Sequence, residues 1–74
     1  MNHIRQALHN AARYCAKEAH KHFCEAELFA DRAFSHAVKG KQVDRILAET
    51  RRHTHESLYR QWIYKARRVR EMMK

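Results

Sequence analysis

Ala37-Val38-Lys39-Gly40-Lys41-Gln42-Val43 is the stretch that decides the fold. Gly40 is the single glycine of the 74-residue chain, and there is no proline. Almost every other residue is a good or tolerable helix former, so the one backbone breaker stands between two long helical halves. Glycine is suited to the left-handed position that ends a helix. The expectation is an all-α antiparallel helical hairpin that reverses at Lys39-Gly40-Lys41.

Upstream of the reversal, one amphipathic helix is expected over about residues 3–38. Ile4, Leu8, Ala12, Cys15, Ala19, Phe23, Ala26, Ala30, Ala33 and Ala37 recur at spacings of three and four. The stripe is rich in alanine, which lets a second helix approach closely along its length.

Downstream, the pattern is less regular. Val43, Ile46 and Leu47 form one apolar patch. Leu58, Tyr59, Trp62, Ala66, Val69 and Met73 form another, rotated from the first by roughly a third of a turn. Between them Glu49–Glu56 is polar all round. Two alternatives follow for residues 50–56: a bend that keeps both patches inward, or a break with Thr54 or Ser57 capping a third helix.

Length sets the scale of the core. Residues 1–74 form one small helical domain. A chain this short buries only about 60% of its unfolded surface, so completion by dimerisation or by a partner is expected.

The charge is lopsided. Residues 1–39 hold six Lys/Arg and four Asp/Glu, a net of +2, and residues 40–74 hold ten and four, a net of +6. An excess of +8 and a pI near 10.1 favour a polyanion or an acidic protein surface as partner.

The segment Arg60–Arg70 carries the sharpest functional signal. Arg60, Arg67 and Lys74 are seven apart and share a face with Tyr64. Such a stripe can hold phosphates and stack a base. Arg68 and Arg70 lie beside it, and Arg51 and Arg52 add charge upstream. The first expectation is therefore nucleic-acid binding, DNA or RNA, through the second helix. The alternative is an inhibitor or adaptor that docks on a larger protein, with Tyr59, Trp62, Ile63 and Tyr64 at the centre of the contact.

Other chemistry is less well supported. His20 and Cys24 are four apart on one helix, and His55 could approach from the other, which would give three zinc-ligand types. The two His-x-His pairs point their rings apart on a helix, so the sequence reading assigns no metal and no cofactor. Enzyme activity is not expected, because one glycine allows no phosphate-cradling loop and a hairpin offers little concavity. Cys15 and Cys24 are nine apart, on opposite sides of a helix, and are expected as free thiols. With no secretory leader and no apolar run of membrane length, the expected location is the cytoplasm, away from membranes.

Overall fold

The computed structural model describes residues 2–74. They form two helices, α1 (Asn2–Val38) and α2 (Gln42–Met72), packed against each other as an antiparallel hairpin.

The reversal is a glycine-dependent helix stop. Gly40 has φ +72°, in the left-handed region. The Gly40 N–H donates to the Ala37 carbonyl (3.1 Å), and the Lys41 N–H donates to the His36 carbonyl (2.9 Å). These nested bonds are the Schellman pattern, and they satisfy the last carbonyls of α1. α2 then starts at once, with the Arg45 N–H donating to the Lys41 carbonyl at 2.9 Å. Asp44 in its first turn complements the positive end of the helix dipole.

Of the two alternatives for residues 50–56, the chain adopts an unbroken helix. Thr54 is not a cap: its hydroxyl donates to the Thr50 carbonyl one turn back, and Thr50 does the same to Ile46. The helix continues because its polar residues take part in the seam. Arg45, Ala48, Arg52, His55, Tyr59, Trp62, Ala66 and Val69, all buried or half-buried, run along the seam at alternate spacings of three and four, with Glu49, Glu56, Leu58 and Ile63 half-buried beside them. The facing set on α1 is Leu8, Ala12, Cys15, Ala19, His22, Ala26, Phe29, Ala33 and His36. A strict 3.5-residue repeat is that of a coiled-coil seam.

The seam is shallow. Its most buried members are Cys15, Ala19, Ala26, Phe29, Ala33, Ala48 and Ala66, five of them alanine. Small side chains bring the helices close. The Cα envelope measures 59 × 13 × 13 Å. Subtracting two Cα radii of about 2.3 Å from the width leaves roughly 8.4 Å between axes, the close end of the usual range.

Candidate nucleic-acid interface

Antiparallel pairing regroups the charge. His55 hydrogen-bonds to His22 (Nδ1 to Nδ1, 2.9 Å) and lies parallel to the Phe29 ring (centroids 5.6 Å), so facing residue numbers add to about 80. Residues 60–74 therefore lie beside residues 2–20. This open half of the rod, which holds both chain ends, carries nine Lys/Arg and two Asp/Glu, a net of +7. The turn half, residues 21–59, carries seven and six, a net of +1. Nearly all of the excess charge sits in one half of a 59 Å rod.

Within the open half, α2 directs Arg60, Tyr64 and Arg67 away from α1, and all three are exposed; Lys74, expected on the same stripe, is exposed but lies beyond the end of α2. Tyr64 is 63% exposed, and its ring is available for stacking. Arg68 and Arg70 flank this column on either side and are exposed too. Arg60 and Arg67 are about 10 Å apart along the helix. α1 adds Arg5, Arg13 and Lys17, all exposed. Reading the halves separately misses these three. The pairing rule about Gly40 is the signal that finds them.

Arg51 and Arg52 lie elsewhere. Both are in the turn half and are engaged by the hairpin. The Arg51 guanidinium sits 5.7 Å from the centre of the Phe29 ring, on which Arg32 also lies at 5.3 Å. Arg52 occupies a seam position and pairs with Glu56, its Nε 3.7 Å from the carboxylate. Its stem covers apolar surface while its head meets a carboxylate, so it packs as much as it charges.

Tyr59 and Trp62 are half-buried against α1. Tyr59 meets Phe23 (centroids 5.6 Å) and Trp62 meets the edge of Tyr14 (5.5 Å, 82°). The Lys65 ammonium covers the Trp62 ring at 4.3 Å. Ile63 is half-buried and lines a shallow groove with Ala16, Ala19, His20, Phe23 and Tyr59. Tyr64 faces solvent, on the side of Arg60 and Arg67.

The histidine and cysteine arrangement differs from the zinc geometry considered above. The His20 ring and the Cys24 thiol touch at 3.5 Å on the exposed side of α1. His55 instead meets His22, Nδ1 to Nδ1, at 2.9 Å across the seam. His20, Cys24 and His55 therefore do not converge. Among the described residues no group of three or more His, Cys, Asp or Glu is placed to hold a metal ion. Cys15 is buried and Cys24 exposed, and both are free.

Among the described residues no helix is long and apolar enough to cross a membrane. Compared with known protein families, curated proteins and solved structures, the chain matches none of them.

Proposed function

We propose that this chain is a nucleic-acid-binding protein whose contact surface is the open half of the hairpin. The supporting observation is the segregation of charge, net +7 in the open half against +1 in the turn half. A surface solvated only for solubility gains nothing from such segregation. A polyanion does, because each phosphate neutralised by Lys or Arg releases condensed counterions. Arg60, Arg67 and Lys74 are the positioning contacts, flanked by Arg68 and Arg70, and the α1 cations Arg5, Arg13 and Lys17 add positive charge to the same half of the rod. Tyr64 supplies a base-stacking ring where single-stranded or looped nucleic acid is offered. No base-reading side chain stands out, so the reading is phosphate-led and tolerant of sequence.

The test is fluorescence anisotropy of the purified chain with a generic DNA duplex and an RNA hairpin across a salt series. Binding at low salt, weakening linearly in log–log form as salt rises, is the expected result. Absence of binding to both at low ionic strength overturns the reading. The docking alternative centred on Tyr59 and Trp62 is less favoured, because those rings are already spent on Phe23 and Tyr14.

A further inference from the structure

We infer that the recess between Arg32 and Arg51, near the reversal, binds one phosphate group, free or as part of a small monoester. The inference does not rest on nucleic-acid binding: Arg51 is about 24 Å along α2 from Arg67.

The recess lies between the last three turns of α1 and the first three of α2. Apolar Phe29, Leu47 and Ala48 line it, together with Arg32, His36, Asp44 and Arg51. Two guanidiniums thus converge from opposite helices. Arg32 is 5.3 Å and Arg51 5.7 Å from the centre of the same Phe29 ring. The two cations therefore lie within about 11 Å of each other, close to the screening length of about 10 Å at 0.1 M salt.

Neither guanidinium makes a hydrogen bond or an ion pair among the described residues, whose arginine partnerships belong to Arg45 and Arg52. Asp44 shares the recess and pairs with neither. The hairpin thus holds two like charges together with their N–H donors unspent. His36 adds a third unmet group, because its Nδ1 is buried without a hydrogen-bond partner. Buried polar atoms of this kind are rare and mark places where water or an ion belongs.

Size and geometry select the ligand. The recess has a volume of about 170 Å³. At about 30 Å³ per water, that is room for roughly five waters, or for a phosphate with part of its hydration shell. Arginine forks bind phosphate through paired N–H donors. Two forks from different helices need an ion with separate pairs of oxygens. A tetrahedral phosphate has them and a planar carboxylate does not. Asp44 limits the affinity, since its carboxylate repels the anion.

Titration of the nitrogen-15-labelled chain at fixed ionic strength, followed at the arginine Nε–H signals, tests the inference. Inorganic phosphate is expected to shift Arg32 and Arg51 saturably in the millimolar range. Arg60 and Arg67 are expected to shift without saturating. Acetate is expected to bind the recess about tenfold more weakly than phosphate. Arg32→Ala and Arg51→Ala, each checked for helicity by circular dichroism, are expected to weaken phosphate binding about tenfold. Asp44→Asn is expected to tighten it, and Arg67→Ala to leave it unchanged. Phenyl phosphate separates the sources: affinity equal to inorganic phosphate supports a monoester as ligand, and a large loss supports free phosphate. Shifts of equal size and form at all four arginines overturn the inference. So does acetate binding as tightly as phosphate, or phosphate affinity unchanged in either folded arginine variant.

Discussion

His22 and His55 meet across the hairpin seam with their Nδ1 atoms 2.9 Å apart. One ring must donate and the other accept. The Glu18 carboxylate lies 4.0 Å from the far nitrogen, Nε2, of His22. That side favours the proton on His22 Nε2, which leaves Nδ1 as acceptor and assigns the donor to His55. The polar bond is covered on one side by the Phe29 ring, stacked on His55 at 7°. It ties the two helices together midway along the rod.

Removing either histidine is therefore expected to destabilise the hairpin. His55→Ala, which loses the hydrogen bond to His22 and the contact with the Phe29 ring, is expected to cost about 2 kcal/mol. A double-mutant cycle with His22→Ala is expected to give a coupling of about 1 kcal/mol. Urea denaturation followed by circular dichroism measures both. Nitrogen-15 spectra of the imidazoles at neutral pH are expected to show the Nε2–H form of His22 and the Nδ1–H form of His55. A coupling near zero would show that the pair is a contact of convenience.

The alanine seam is expected to reject bulk. Ala19 is 2% exposed and Ala66 3%, and the close approach of the axes leaves no room for a larger side chain at either. Ala66→Leu is expected to lose about 1–3 kcal/mol through overpacking. A lowered urea midpoint with an unchanged slope checks this. An unchanged midpoint would mean that the helices can separate without cost.

Gly40→Ala isolates the conformational demand of the turn. Nothing lies within 4 Å of where a Cβ would stand, so no clash contributes. The cost arises from φ +72° alone and is expected to be about 1 kcal/mol, seen as a lower melting temperature with the hairpin retained. Gly40→Asn is expected to cost less, because asparagine tolerates the left-handed region better. Equal losses for the two variants would contradict this account.

The arginines are expected to separate by role. Arg67→Ala should reduce the slope of log affinity against log salt by about 1 while the melting temperature holds. Arg51→Ala should leave nucleic-acid affinity nearly unchanged and cost about 0.5–1 kcal/mol of stability, the usual worth of an exposed cation–π contact. Anisotropy and thermal melts on the same two proteins decide it. The reverse assignment would move the binding surface to the turn half.

Much of the fold is legible from residues alone. Gly40 marks the reversal, and the α1 stripe from Leu8 to Ala33 identifies most of the face that packs. The polar stretch at 49–56 is harder to read, because a search for apolar residues sees a gap there. Packing fills that gap with the Arg52 stem and the His55 ring, two polar side chains with large apolar parts. The histidine pair is illegible for the same reason: nothing local to His22 or His55 states that the other exists. Of the candidate site, the column Arg60, Tyr64 and Arg67 follows from helical spacing, whereas Lys74 lies past the helix end. The contribution of Arg5, Arg13 and Lys17 follows only from pairing.

Composition and one glycine suffice for two helices, their reversal and a total charge of +8, because helix propensity and the left-handed turn are local matters of backbone energy. How that charge is arranged is a property of the folded pair. Divided at Gly40, the chain reads +2 and +6; folded, it divides across the rod into +7 and +1. Antiparallel packing sets residue i beside residue 80 − i, or nearly so. It therefore gathers cations distant in the chain at one end and leaves the other end nearly neutral.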